Sequence, residues 1–153
     1  MILRKGQSTV KVATAEQEAR LGACTSARLS EDGGLTQFGA YLETLDPGSR
    51  SSERHWHEEE DEFLYVVAGE ATVVDDDGEH VLHAGDCACW PAGVANAHHV
   101  VNRSGARCAY LIVGTRVPRD VCHYPDSGRT LHTDTDGWRL VDAQGRVVKS
   151  GRT

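Results

Sequence analysis

The sequence predicts an all-β fold, a barrel or sandwich built as a single domain. Turn-forming residues recur about every 8–12 positions, a spacing typical of all-β domains. Short runs rich in β-branched and aromatic residues lie between the turns. A chain of 153 residues with 39% hydrophobic content can bury one hydrophobic core. The turn signals include Asp32-Gly33-Gly34, Asp46-Pro47-Gly48, Asp75-Asp76-Asp77-Gly78, Ala84-Gly85-Asp86 and Pro91-Ala92-Gly93.

A short helix and a series of strands are expected before residue 115. The helix covers Ala13–Leu21. Asp75–Gly78 is interpreted as a hairpin turn, because Gly78 can take the positive φ that such turns need. The barrel core is expected over residues 35–114, within one domain that covers residues 1–153. The predicted strands are Leu35–Leu45, Glu62–Val67, Glu70–Val74, His80–His83, Ala88–Trp90, His98–Asn102 and Ala109–Gly114.

The tail, residues 115–153, is expected to be an ordered arm. Trp138–Val141 and Arg146–Val148 flank a turn and predict a hairpin. An isolated hairpin is only marginally stable in water, so this one needs a surface to lie on. We expect it to be appended to the barrel, with Trp138 as the anchor because an indole buries a large area.

Composition and charge exclude several classes of protein. The formal net charge is −7, and no cluster of Lys and Arg suits a phosphate backbone, so nucleic-acid binding is not expected. No run approaches the roughly 20 apolar residues of a membrane span. Residues 1–10 lack the apolar core of a secretory signal, which favours the cytoplasm. The five cysteines contain no CxxC pair. Packing as buried thiols is the expected role, with Cys87 and Cys89 as a thiolate pair for a soft metal as the alternative.

A candidate metal site begins at His55-Trp56-His57. Alternate residues of a strand face the same way, so His55 and His57 can share one cation. After four intervening residues, Glu62 opens the apolar run Phe63–Val67. A carboxylate on the inner face of a strand is costly unless something pairs its charge, and a metal ion would do so.

A second group of residues downstream strengthens this interpretation. The first group runs Gly48, His55, His57, Glu62, Gly69, and the second runs Gly85, Pro91, Gly93, His98, Asn102. Together they resemble the two motifs of the cupin superfamily, G(x)5HxH(x)3,4E(x)6G and G(x)5PxG(x)2H(x)3N. The resemblance implies a jelly-roll (double-stranded β-helix) barrel, with a short N-terminal helical segment and the C-terminal hairpin as additions. It also implies His55, His57, Glu62 and His98 as metal ligands.

The second motif departs from the family pattern in one respect that matters. Four residues instead of two separate Gly93 from the histidine, and Asn96 stands at the usual spacing. A two-residue shift preserves the face of a strand residue, so His98 should point inward and His99 outward. The spacing to Asn102 also selects His98.

The ligand set predicts an open site for one divalent transition metal ion. Three imidazoles and a carboxylate suit Fe²⁺, Mn²⁺, Co²⁺, Ni²⁺, Cu²⁺ or Zn²⁺. A structural zinc site would be closed, tetrahedral and rich in sulfur, whereas this set leaves positions for a small molecule. Glu62 is also a candidate base. Gln37 and Tyr41 share a face of the strand Leu35–Leu45 and are candidates to line the pocket.

Two functions remain open on the sequence. The first is a metal-dependent enzyme, an oxygenase or an isomerase or lyase, that acts on a small oxygenated molecule. The second is a binding or sensing module without turnover. The sequence is also similar to those of a group of small single-domain bacterial cupins that lack a firmly assigned reaction. Cupins that act as sensors usually carry a DNA-binding helix-turn-helix segment. The one predicted helix here has about nine residues, which is too short for such a segment.

A homodimer is expected from the pattern of two strands. Phe63–Val67 and Ala109–Val113 carry apolar or aromatic residues at both odd and even positions. Strands that are apolar on both faces are buried on both faces, which one small barrel cannot easily provide. The alternative is that the N-terminal segment or the tail hairpin covers the outer face.

Overall fold

A computed structural model describes residues 1–152, which form fourteen strands and two short helices. The prediction of an all-β fold is confirmed. In chain order the elements are β1 (Val10–Val12), α1 (Ala15–Leu21), β2 (Cys24–Arg28), α2 (Leu29–Asp32), β3 (Phe38–Leu45), β4 (Trp56–His57), β5 (Glu62–Ala68), β6 (Glu70–Asp75), β7 (Gly78–His83), β8 (Cys87–Trp90), β9 (His99–Val101), β10 (Cys108–Thr115), β11 (Asp120–Tyr124), β12 (Arg129–Thr133), β13 (Trp138–Val141) and β14 (Val147–Gly151).

Antiparallel sheets form the predicted jelly-roll barrel. One sheet has the strand order β1-β2-β3-β10-β5-β8, and a smaller sheet has the order β7-β6-β9. Isolated bridges between Arg50 and Val101 and between His55 and His98 connect the loop before β4 to β9 and the residue that precedes it. The apolar core draws on both sheets and consists of Leu45, Leu64, Val66, Ala71, Val73, Trp90, Val100, Cys108 and Tyr110.

Strand β5 shows how the alternation of side chains builds this core. Leu64 and Val66 are fully buried, whereas Phe63, Tyr65 and Val67 are 37%, 41% and 49% exposed. Successive side chains of a strand point to opposite faces, so the second set covers the outside of the sheet. These exposed apolar residues are compatible with an interface, and the homodimer stays a prediction.

Two glycines fix the turns that start and end β6. Gly69 lies between β5 and β6 at φ 76°, and a Cβ there would come within 2.6 Å of the Arg107 carbonyl oxygen. A larger residue is therefore excluded by both the backbone angle and the space. Gly78 follows the turn after β6 at φ 130°, which confirms the predicted hairpin between β6 and β7.

The N-terminal segment contains the predicted helix and two strands that the sequence did not reveal. Thr14 caps α1 by accepting a hydrogen bond from the Gln17 amide, and Gln17 returns a bond to the Thr14 amide. β1 and β2 extend the large sheet beyond β3. The residues of β1 are exposed and those of β2 only half-buried, so neither strand carries the apolar alternation that reveals a strand in a sequence.

The tail is ordered, as expected, and joins the barrel through β11. It forms a five-stranded sheet in the order β14-β13-β12-β11-β4, in which Cys122 and His123 pair with His57 and Trp56. The predicted hairpin is β13 and β14. Trp138, the expected anchor, packs over Gly151 within this hairpin, whereas β11 makes the strand pairing with the barrel.

The cysteines divide between core and surface. Cys108 and Cys122 are buried, as expected of thiols that pack as small hydrophobic side chains. The same expectation is wrong for Cys87 and Cys89, which are exposed. Within residues 1–152, no helix has the length and apolar character needed to cross a membrane.

Asn102 fastens the end of β9 to two other segments of the barrel. Its side chain is fully buried, and its Nδ2 donates to the carbonyl oxygens of Leu45 and Ala106 at 2.9 and 2.7 Å. Its Oδ1 accepts from the amide and hydroxyl of Ser104 at 3.0 and 2.8 Å. The donor and the acceptor of the Asn102 side chain are thus both used, and water does not reach the site.

We predict that Asn102→Ala lowers the free energy of unfolding by at least about 2 kcal/mol, because it leaves two buried carbonyls without this donor. Denaturant titration followed by circular dichroism measures the change. Gln144→Ala, in the exposed turn between β13 and β14, is the control and should stay within about 0.5 kcal/mol of the parent protein. Equal stability of the two variants would contradict the assigned role.

Candidate metal centre

Three imidazoles converge on one carboxylate oxygen inside the barrel. The Nε2 atoms of His98, His55 and His57 lie 2.8, 3.7 and 4.0 Å from Oε2 of Glu62. The structure therefore brings together all four residues that the sequence singled out as ligands. The side chains of His98 and Glu62 are 6% and 17% exposed, so the group is largely shielded from solvent.

Strand pairing explains the convergence. His55 and His98 face each other across an antiparallel bridge, in which each amide donates to the other's carbonyl oxygen. His57 follows on β4, and Glu62 is the first residue of β5. Backbone hydrogen bonds thus fix the positions from which the side chains of residues far apart in the chain project toward one another.

The second ring nitrogen of each histidine is held by an acceptor. Nδ1 of His55 lies 2.9 Å from the Glu53 carbonyl oxygen, and Nδ1 of His98 lies 2.9 Å from that of Asn96. Nδ1 of His57 lies 2.6 Å from Oδ2 of Asp120. Carbonyl and carboxylate oxygens only accept, so each Nδ1 carries a proton, and the Nε2 of each ring faces the centre, where it offers a lone pair to a metal ion once the ring is neutral.

Asp120 is a candidate site residue that the sequence did not reveal. It is 7% exposed on β11, and its Oδ1 accepts from the Glu59 amide at 3.1 Å. A carboxylate behind a metal-binding histidine fixes the ring and raises its basicity. Asp120 lies 63 positions after His57, outside both motifs, and only the pairing of β11 with β4 brings the two together.

The electrostatics of the group favour an ionised Glu62. Burial raises the pKa of Glu62, but the hydrogen bond from His98 and the charges of the imidazoles lower it below its usual value. Burial lowers the pKa of His55. At His57 burial has the same effect, but hydrogen bonds to Cys122 and Asp120 outweigh it and raise the pKa to about 10.

His98 and His99 have different surroundings. The ring of His98 stacks on Trp90 with centroids 3.8 Å apart and is held against Glu62. His99 instead directs its Nδ1 to the Ser52 carbonyl oxygen at 2.9 Å. The strand-period argument that selected His98 thus agrees with the geometry.

A cavity of about 310 Å³ opens in front of the ligand group. Tyr41 lines it, as the sequence suggested. Gln37 does not line it: the residue is exposed and precedes β3, and its carbonyl oxygen accepts from the Arg116 amide. The expectation that Gln37 lines the pocket is therefore wrong, because β3 begins only at Phe38 and the strand alternation does not extend back to residue 37.

Two further carboxyl groups line the cavity. Glu60 lies in the loop between β4 and β5. A carboxylate oxygen of Glu60, a carboxylate oxygen of Asp120 and a ring nitrogen of His57 lie within 4.8 Å of one another. Glu43 lies deeper on β3 and accepts a hydrogen bond from the Tyr110 hydroxyl at 2.7 Å. Burial raises the pKa of Glu43.

The donor set fits a divalent transition metal. Two ligand atoms that are each about 2.0–2.1 Å from one ion lie between roughly 2.8 and 4.2 Å apart. The observed separations from Glu62 Oε2, 2.8 to 4.0 Å, fall in this range. The Cys122 thiol lies within 4.8 Å of ligand nitrogens of His55 and His57 and could share a metal ion with them as a soft ligand.

Comparison with known proteins agrees with the fold. The Cupin domain family matches residues 41–114, which contain all four candidate ligands. A structure from Silicibacter pomeroyi, described as a sugar phosphate isomerase from a cupin superfamily, is 37% identical over 97% of both chains, with a TM-score of 0.90. The chain belongs to the cupin superfamily.

Other solved structures extend this comparison. A candidate sugar phosphate isomerase from Acidithiobacillus ferrooxidans is 27% identical to this cupin over 90% of its chain and 96% of the other, with a TM-score of 0.76. A predicted oxalate decarboxylase from Thermotoga maritima shares the fold at 23% identity and a TM-score of 0.64, covering 76% of this chain and 100% of the other. No curated protein matches the chain.

We predict that His98→Ala lowers bound metal below half of the parent content, whereas His99→Ala retains it. Removing His98 deletes a nitrogen that faces Glu62, while His99 contacts a backbone carbonyl instead. Elemental analysis of protein purified under identical conditions measures the metal. Retention in His98→Ala together with loss in His99→Ala would reverse the assignment.

We predict that Asp120→Asn weakens metal affinity about 10- to 100-fold, because the supporting carboxylate of His57 is lost. Each imidazole must be neutral to bind, so protons compete with the metal and the affinity should also fall as the pH is lowered in both proteins. Competition with a chromophoric chelator measures the affinity. Asp136→Asn, in the exposed turn before β13, is the matched control and should bind as the parent does. Unchanged affinity in Asp120→Asn would remove its supporting role.

Proposed function

We propose that this cupin is a metal-dependent isomerase of small hydroxycarbonyl compounds of the aldose and ketose type. The observation that carries the proposal is the convergence of His55, His57 and His98 on Glu62 at the wall of a cavity. A centre with four protein ligands leaves coordination positions for the adjacent oxygens of such a compound.

The comparisons favour isomerisation over the other reactions expected of the site. The Silicibacter pomeroyi protein described as a sugar phosphate isomerase resembles this chain along nearly its whole length. The oxalate decarboxylase resemblance lies below 25% identity and supports the fold alone. Isomerisation also needs no external oxidant or reductant, because the carbonyl and the neighbouring alcohol exchange oxidation states within one molecule.

The reaction consists of proton transfers. A base removes the proton from the carbon next to the carbonyl, the electron pair forms the carbon–carbon double bond, and the carbonyl oxygen takes up a proton to give an enediol. A proton is then added to the former carbonyl carbon, and the neighbouring hydroxyl gives up its proton as it becomes the new carbonyl. A bound divalent ion would supply Lewis acidity toward the developing negative charge on the substrate oxygens.

The residues of the chain divide these tasks. Glu62 was a candidate base, but its position among three imidazoles and its lowered pKa suit a ligand. The hydroxyl of Tyr41 bonds to Glu31, and burial raises its pKa, so it stays protonated and positions its neighbours. Glu60 lines the cavity beside the centre without being one of the four ligands, and we assign it to proton transfer.

We predict that the metal-loaded protein interconverts at least one aldose–ketose pair and that Glu60→Gln lowers kcat by about 10²- to 10⁴-fold at unchanged metal content. Proton NMR in D₂O measures the reaction, because an enediol route places solvent deuterium on carbon. Glu16→Gln, on the exposed face of α1, is the control and should retain the parent rate.

Failure across a panel of aldoses and ketoses, with each of the divalent metals that the site accepts, would overturn the proposal. Saturable binding of a sugar without deuterium incorporation would identify the chain as a binding module, the second function left open by the sequence. Full activity of Glu60→Gln would move the proton transfer to another residue.

A further inference from the structure

Carboxyl groups outnumber the lysine and arginine side chains on the wall of the cavity. Glu43, Glu60 and Glu62 all contribute to its wall. Among the described residues that form this wall, Arg116 is the only lysine or arginine. Recognition of a phosphate group uses charge-assisted hydrogen bonds, above all from arginine, so the state of Arg116 decides whether the cavity can accept one.

The guanidinium of Arg116 is already engaged. Its Nη1 donates to the Leu35 carbonyl oxygen at 3.2 Å, and its Nη2 donates to the Tyr41 hydroxyl at 2.9 Å and to the Glu31 carboxylate. Tyr41 donates its own proton to the same carboxylate. The three side chains form a closed cluster at the rim of the cavity, and its positive charge is neutralised within the cluster.

Glu31 is held in this cluster as a carboxylate. The Ser30 hydroxyl, which is fully buried, donates to Oε2 of Glu31 at 3.0 Å. Burial raises the pKa of Glu31, but the hydrogen bonds from Tyr41 and Ser30 and the charge of Arg116 outweigh it and lower the pKa to about 2. The negative charge beside Arg116 is therefore present throughout the neutral pH range.

A phosphate monoester would meet an unfavourable site here. It carries about −1.5 to −2 charges near pH 7. Binding it next to Arg116 would require either displacement of Glu31 from its partners or burial of the phosphate beside an unneutralised carboxylate, and like charges at short range disfavour the second.

We propose that the cavity takes an uncharged polyhydroxylated carbonyl compound, and that Glu31 sets this preference against its phosphate ester by holding Arg116. The inference rests on the proposed isomerase function and names its substrate class. It departs from the phosphate in the description of the related Silicibacter pomeroyi protein.

The uncharged part of the wall suits hydroxyl groups. Thr115 Oγ1 accepts from the Asp61 amide at 2.8 Å, so its own proton is free to donate to a ligand oxygen. Ser51 Oγ accepts from the Val100 amide at 3.1 Å and also lines the cavity. Ile112 adds an apolar surface between these donors and the floor. A cavity of about 310 Å³ lies at the lower end of the range typical of small-molecule sites.

The first experiment uses inorganic phosphate as the probe and isothermal titration calorimetry on metal-loaded protein. The parent protein should show binding in the millimolar range or weaker, and Glu31→Gln should bind phosphate at least tenfold more tightly because Arg116 is released. The double variant Glu31→Gln/Arg116→Gln should return to the parent value. Equal metal content in all variants ensures that the difference reports on Arg116.

Glu79→Gln is the matched control. It releases Arg103 from an exposed ion pair on the barrel surface, so it frees an arginine without changing the cavity. Phosphate affinity of this variant should equal that of the parent. An equal gain in Glu79→Gln and Glu31→Gln, or no gain in a folded Glu31→Gln, would overturn the role of Glu31.

The second experiment needs no variant and compares each aldose with its phosphate ester on the parent protein, by binding and by deuterium incorporation. A free aldose that binds at least tenfold more tightly than its ester supports the inference. An ester that binds or reacts better overturns it, while leaving the isomerase proposal intact. Preferential binding of free aldoses without deuterium incorporation supports the substrate class and overturns the isomerase proposal.

Discussion

The arrangement of this molecule depends on one constraint, the burial of an ionised carboxylate among three imidazoles. An isolated carboxylate in the interior of a barrel is strongly unfavourable, and it is tolerated only where charges or hydrogen bonds compensate it. Glu62 receives this compensation from His98, His55 and His57. A hydrogen bond joins Nε2 of His98 to Oε2 of Glu62. A divalent cation at this position would compensate the negative charge of Glu62 more fully than the proton does. The barrel supplies the rigid frame, because the ligands lie on or beside paired strands.

The tail takes part in this frame. It looks like an addition to the barrel, yet β11 pairs with β4 and places Asp120 against His57. The remaining strands of the tail support β11 from the other side, since β12, β13 and β14 pair in sequence beyond it. The orientation of one ligand therefore depends on chain that follows the last motif. This dependence gives the ordered tail a role in the chemistry of the centre.

The sequence revealed the strands in which apolar and polar side chains alternate and the residues that belong to the two motifs. Apolar alternation and turn glycines located the barrel strands from β3 to β10, and the two motifs located His55, His57, Glu62 and His98. It did not reveal β1 and β2, whose residues lack an apolar face, or β11 and β12, whose half-buried residues mix polar and apolar types. Glu31 and Asp120 stayed hidden for a different reason. Their roles depend on contacts between segments 85 and 63 positions apart, which only the folded chain brings together.

Strand register also decides where a substrate can lie. Glu62, Gly114 and Gly39 form one row across β5, β10 and β3, and Gly114 leaves open space beside the Glu62 carboxylate. A Cβ on Gly114 would come no closer than 3.7 Å to its surroundings, whereas the ring of Tyr41 already covers Gly39. Four residues further along β3 and β10, Glu43 and Tyr110 pair across the strands and join by a hydrogen bond that closes the floor. The cavity is thus open at Gly114, which has no side chain, and closed where Glu43 and Tyr110 are hydrogen-bonded to each other. A ligand that enters between these rows would meet the candidate metal ligands at Glu62 and the ion-paired guanidinium of Arg116, and the proposed preference for uncharged oxygen atoms rests on this arrangement.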